Sequence, residues 1–247
     1  MFEGWPPGAR ALVERSVAAH GGLECWRRAQ RVDLHFVAAA GWLPWVKGYM
    51  RTFPAPGVCE IRPHDQTTIF QEYPDIEHRG VFSHGDVRIE RAADGVASRS
   101  SANHRRTFLG LAKYRQWDSL DALYFFGYAM WHYHTLPFTL ADARFLSAGS
   151  DSIEVEFSAA IPTHCARQRF FFGDDGRIVR HDYEAEVIGR WARACHFWED
   201  YDRIGGLLLA RRRRVAARVF GRPAPVNVLR VDFGRAAVSG SVISPRR

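Results

Sequence analysis

His181 and Tyr183 stand two residues apart in RIVRHDYEAEVI, residues 177–188. In a strand, whose side chains alternate with period two, both share a face with Val179, Ala185 and Val187, and Arg180, Asp182, Glu184 and Glu186 form the solvated face. An imidazole on an apolar face is a general acid or base near neutral pH, and a neighbouring phenol can donate to a developing oxyanion. The same pair also reads as two buried polar groups satisfied inside a core. His196, in RACHFWEDY, supplies a second imidazole if its strand pairs with the first across Gly189. Alternation alone leaves its side open, because Cys195, Phe197, Glu199 and Tyr201 compete with His196, Trp198 and Asp200 for the interior. His132 and His134 are further candidates, but i, i+2 residues on a helix do not face each other, and His78 and His164 are isolated, so no metal is expected. The catalytic candidates are therefore His181, Tyr183, His196 and His134, in cofactor-free proton transfer.

Those histidines need an element to aim them, and the strongest is WDSLDALYFFGYAMWHYHTLPF, residues 117–138. Asp118 or Ser119 caps a helix there and Pro137 closes it. Its aromatic residues leave almost no polar face, so it must be buried on most sides, and it is too short to cross a bilayer. Tyr124, Phe125, Tyr128, Trp131 and His132 on this helix, with Phe171 and Trp198 on strands, are the candidate ligand-binding residues.

Before the helix, residues 8–30 carry two short helices joined at His20-Gly21-Gly22. Residues 31–100 then change to period two, with turn chemistry every eight to twelve residues, the pattern of an antiparallel meander. Within it WVKGYMRTF is expected as a strand. Residues 104–134 are a helical insertion following a loop from 95, residues 141–235 form a second strand set with a hairpin at Asp174-Asp175-Gly176, and 236–247 are a flexible tail. No alternation of strand and helix, glycine-rich phosphate loop, nucleophile elbow or zinc-protease motif appears.

The 247 residues, 47% apolar and 25% charged, suit one domain with a large core, and eight Trp and 17 Phe favour a cavity or a thick sheet-on-helix core. A net charge of +7 raises nucleic acid and anionic membranes, yet the basic residues are scattered, with one run at Arg211 to Arg214. Two of those four arginines are expected to face solvent and one to reach Glu184 or Glu186. Cys25, Cys59, Cys165 and Cys195 are far apart, as in a reducing compartment, and MFEGWPPGARALVER has no apolar h-region. The expectation is a cytoplasmic chain without nucleic-acid partner or membrane insertion.

The blocks SVAAHGGLECWRRAQRV, RGVFSHGDVRIE, WDSLDALYFFGYAMWHY, PTHCARQRFFFGDDGRIVRHDYEAEVIG and FGRPAPVNVLRVDF resemble a widespread family of uncharacterised bacterial proteins. That family in turn is similar to the outer-membrane lipoprotein carrier (Lol carrier) fold, a bent antiparallel half-barrel closed by helices over an apolar cavity. The resemblance implies little about activity, and lipoprotein carriers are exported, whereas this chain reads as cytoplasmic.

Together these readings predict a single α+β domain: a strongly curved antiparallel half-barrel of about eleven strands wrapped around helix 119–134, lidded by the N-terminal helices. The function they favour is binding of an apolar or aromatic small molecule between sheet and helix. The alternatives are a cofactor-independent cyclase, isomerase, lyase or hydrolase, and an interaction protein using its basic surface.

Overall fold

The computed structural model describes residues 4–48 and 57–240. The chain opens with α1 (Pro7–Ala19) and α2 (Gly22–Arg28), then runs outward through β1 (Ala29–Ala40), β2 (Gly57–Arg62), β3 (Thr67–Gln71), β4 (His78–Ser83), β5 (Asp86–Arg91) and β6 (Ala97–Ser101). Two short 3₁₀ turns lead into the long helix, Ser119–Thr135. It delivers the chain to the opposite sheet edge, from which β7 (Ala143–Ala148), β8 (Ser152–Phe157), β9 (Arg167–Phe172), β10 (Ile178–Glu184), β11 (Arg193–Ile204), β12 (Leu207–Val219) and β13 (Arg222–Gly240) return. Each neighbouring pair is antiparallel, and β13 meets β1, giving one open sheet in the order β6-β5-β4-β3-β2-β1-β13-β12-β11-β10-β9-β8-β7.

The expected antiparallel sheet around a buried central helix is present and open at both edges, with thirteen strands among the described residues where about eleven were expected. One missed strand is β6, read as loop because ASRSS has no apolar alternation; as an edge strand it needs only the ladder to β5. Trp45 to Lys47, expected in a strand, belong instead to a short helix, α3 (Trp42–Lys47). Pro44 sits in its first turn, where a missing N–H costs no helical bond. The rest of that expected strand, from 49 onward, lies outside the described residues. Residues 236–240 are no tail: β13 continues to Gly240 because Leu34, Val32, Arg31 and Ala29 of β1 pair with Ala236, Val238, Ser239 and Gly240. The remainder of the expected tail, 241–247, lies outside the described residues.

The long helix, α4, starts at a capping box: Asp118 accepts from the Leu120 and Asp121 amides, and Asp121 accepts from the Asp118 amide. Every residue from Ser119 to Thr135 is buried, as its all-round apolar sequence requires. Two glycines decide where it lies. A Cβ on Gly127 would stand 2.3 Å from Phe82 Cβ of β4, and one on Gly80 would stand 2.7 Å from Leu123 Cδ1. Thr68 of β3 also donates to the Gly127 carbonyl at 3.0 Å. The helix is thus pressed onto β3 and β4 through Leu123 and Gly127. Phe125, Ala129 and Tyr133, on its opposite face, look toward β10 to β13 across a gap.

Candidate functional site

That gap is a cavity of about 280 Å³. Phe125, Phe126, Ala129 and Met130 line it from α4, and Val215, Leu229 and Val231 from β12 and β13. Trp42 and Leu43 of α3 and Trp191 of the β10–β11 turn border it as well. Against this apolar wall stand six polar side chains: Tyr133, Tyr183, His196 and Arg213, with Arg193 and Arg218, which pair with Glu184 and Asp182.

Strand pairing brings them together. His181 lies opposite His196, and Trp198 opposite Arg213, which settles the ambiguous strand in favour of His196 and Trp198 inside. Tyr133 rises from the helix, its ring 4.4 Å from that of His196. The face expected for β10 is only partly right. A bulge between Ile178 and Arg180 turns Val179 outward, 41% exposed, and puts Ile178 inside. Asp182, expected to be solvated, is buried on the outer face between Arg180 and Arg218.

Tyr133 and Tyr183 close a hydrogen-bonded series. Tyr133 donates to the Tyr183 hydroxyl at 3.1 Å, so its own oxygen accepts from His164 Nε2. His164 Nδ1 then accepts from Tyr128 at 2.8 Å. His164 is also stacked on Tyr183, centroids 4.0 Å apart and rings 2° from parallel. The series leaves the Tyr183 proton free to donate toward the cavity. Burial drives His164 well below the ordinary imidazole range, with the nearby His132 and Arg105 adding to it, and burial raises all three phenols. The array is neutral.

His181, the expected proton shuttle, does not border this cavity. It is stacked on Phe170, and its Nε2 donates to Gln168 Oε1, which also accepts from His132 Nε2 at 3.2 Å. Gln168 is held in turn by its own amide donating to Thr163 Oγ1 and to the Cys165 carbonyl. Burial holds His181 well below the ordinary range, and holds His132 at about 4. His134 points the other way round the helix, donating from Nδ1 to the Met130 carbonyl at 2.8 Å; burial and then Arg213 bring it to about 3. Among the described residues no group of His, Cys, Asp and Glu could hold a metal ion.

Of the expected ligand-binding residues, Phe125 lines the cavity. Tyr128 is committed to His164, and Trp131 donates to the Pro63 carbonyl at 2.9 Å. Tyr124 borders a separate surface groove beside Arg105, and Trp198 lies beneath the Arg213 guanidinium. Phe171 faces outward under Arg180, 4.8 Å from the guanidinium carbon, because Phe170 and Phe172 take the inward positions.

Arg213 overturns the expectation for the RRRR run. Arg211 reaches Asp202, Arg212 reaches Asp200 and Asp232, and Arg214 reaches Glu199. None reaches Glu184 or Glu186, which pair with Arg193 and Arg105 instead. Arg213 turns inward, 2% exposed, its guanidinium carbon 3.7 Å from the Trp198 ring centroid and 5.5 Å from that of Tyr133. Its Nε and Nη1 are buried with no hydrogen-bond partner, and so are both nitrogens of His196. Period two in the strand implied that some arginine of four must point inward; nothing in the sequence said which. Gln168, Tyr133 and His164 were missed as well, since their roles depend on partners more than 30 residues away or across the sheet.

No family model matches the chain, and no curated protein matches its sequence. Among solved structures it is similar to a LolA superfamily protein from Nitrosomonas europaea, at 10% identity and a TM-score of 0.46 over 93% of this chain and 92% of that one. It is similar also to a DUF1329 family protein from Desulfovibrio piger, at 12% identity and a TM-score of 0.42 over 94% of each chain.

Proposed function

We propose that this protein binds a hydrophobic small molecule in the space between α4 and strands β10 to β13. The observation that carries this reading is the cavity itself: about 280 Å³ walled by Phe, Met, Leu and Val side chains. That is near the lower end of the range of roughly 300–1,000 Å³ typical of small-molecule sites, which are mostly apolar with a few placed polar groups. Proton-transfer catalysis is the weaker reading, because His181 is clamped by Gln168 behind the wall and the imidazole bordering the cavity, His196, has no side-chain partner to orient it.

The test uses a neutral apolar fluorophore, N-phenyl-1-naphthylamine, titrated into the purified protein. Saturable enhancement with one site per chain is expected, and Ala129→Trp, which fills the cavity from the helix side, should abolish it. Absence of binding to the unmodified protein, or equal binding by the folded variant, refutes the reading.

A further inference from the structure

The polar end of the cavity has a charge and no counter-charge. Three arginines border it: Arg193 and Arg218 pair with Glu184 and Asp182, whereas Arg213 is buried, flanked by the rings of Trp198 and Tyr133. Among the described residues no carboxylate pairs with it, although the three arginines beside it in sequence each have one. The surrounding titratable groups cannot supply the missing charge. Tyr133 is engaged with His164 and Tyr183 as a neutral phenol. His134 and His20 each bond through Nδ1 to a backbone carbonyl, Met130 and Ser16, which leaves only a lone pair on Nε2. His196 has both nitrogens unpartnered and borders the same cavity.

A guanidinium taken out of water without an anion is strongly disfavoured, and two unmade donor positions add to that cost. Such a group persists where a ligand completes it. We infer that the ligand is an amphiphile with a single carboxylate, its head on Arg213 and His196 and its hydrocarbon or aromatic body along Phe125, Met130 and Leu229. The inference rests on the binding role proposed above and specifies its ligand class. One unpaired cation beside neutral imidazoles and phenols, with Arg193 and Arg218 already neutralised by Glu184 and Asp182, matches a monoanion; a phosphate monoester, at about −1.5 to −2, would bury excess negative charge. Tyr183, whose proton is free, is placed to donate to the same head.

Isothermal titration with decanoate, decyl phosphate and decanol separates the possibilities, since the three share one chain length. Decanoate should bind about tenfold to a hundredfold more tightly than decanol, the worth of a hydrogen bond to a charged group, and more tightly than decyl phosphate. Arg213→Met, close in length and uncharged, should bring decanoate down to decanol while changing decanol much less than decanoate, and Arg213→Lys should keep part of the preference. Equal affinity of the unmodified protein for decanoate and decanol overturns the carboxylate assignment and leaves the cavity reading standing, and this comparison needs no variant to fold. A preference that survives in Arg213→Met also overturns it, and tighter binding of decyl phosphate replaces the monoanion by a dianion. Binding of none of the three, together with no uptake of the neutral fluorophore, refutes both readings.

Discussion

Acid should unfold this protein through its histidines before it does so through its carboxylates. His20, His132, His134, His164, His181 and His196 are all at most 2% exposed, and each is held below the ordinary imidazole range, chiefly by burial. The unfolded chain therefore takes up protons below about pH 6.5 that the native state refuses, and stability falls as pH falls. For His20 and His132, brought to about 4, and His134, brought to about 3, the window runs from 6.5 down to those values. At pH 5 each of these three withdraws about 2 kcal/mol, or about 6 kcal/mol if they act independently, against a total stability of about 5–15 kcal/mol. The other three act in the same direction. The carboxylates titrate lower. Asp121 reaches about 2 because its bonds from His104 and Arg115 outweigh the burial that opposes ionisation, and Glu154 reaches about 2 mainly through Arg167. Their contribution is present above about pH 4 and is lost between there and about 2. Urea unfolding followed by circular dichroism at pH 8, 7, 6 and 5 should show a steadily falling midpoint, with little folded protein left near pH 5. A midpoint that is flat from 7 to 5 and falls only below 4 would mean that the imidazoles are protonated in the native state, and the assignment of a neutral interior would be wrong.

Three substitutions probe the scaffold. Gly127→Ala should cost about 1–3 kcal/mol by overpacking Phe82, more than the helix propensity it gains, and should weaken fluorophore binding as α4 is pushed into the cavity; thermal melting and titration read the two effects. His181→Ala should lower the melting temperature while leaving fluorophore affinity within about twofold, because the ring packs on Phe170 and Gln168 and not on the cavity; lost binding with unchanged melting would restore it as a site residue. Asp118→Ala removes the helix cap and the Arg99 pair, and should cost about 1 kcal/mol in urea unfolding.

The architecture was readable wherever a short-range pattern determines structure. The apolar helix ran from Ser119 to Thr135 as capping and burial required, and the meanders on either side paired as alternation predicted. The failures are places where a long-range partner decides. Residues 236–240 have no strand signal of their own and are ordered by β1, and β6 is a strand only because β5 offers it a ladder. On β10 one bulged residue moved Val179 outside, and on β9 the parity of three consecutive phenylalanines sent the middle one, Phe171, to the surface. His181 looked catalytic because its face was apolar, but the sequence carried no sign that Gln168 would occupy its Nε2.

The position of the cavity follows from an imbalance between the two halves of the sheet. On the β3–β4 side, Gly80 and Gly127 remove the side chains that would hold α4 away, so the helix meets that half at close range. The helix then cannot also fill the space above β10 to β13, where Tyr183, His196 and Arg213 stand among Val215, Leu229 and Val231. α4 answers these three polar side chains with only one polar group, Tyr133, whose hydroxyl is already shared with His164 and Tyr183. A fold selected only for packing would place aliphatic residues at these positions and lose no stability by doing so, since replacing buried charge with apolar volume is often neutral or favourable. The gap made by the two glycines and the unsatisfied guanidinium beside it are both accounted for by the proposed ligand, apolar where it would meet Phe125 and Met130 and acidic where it would meet Arg213.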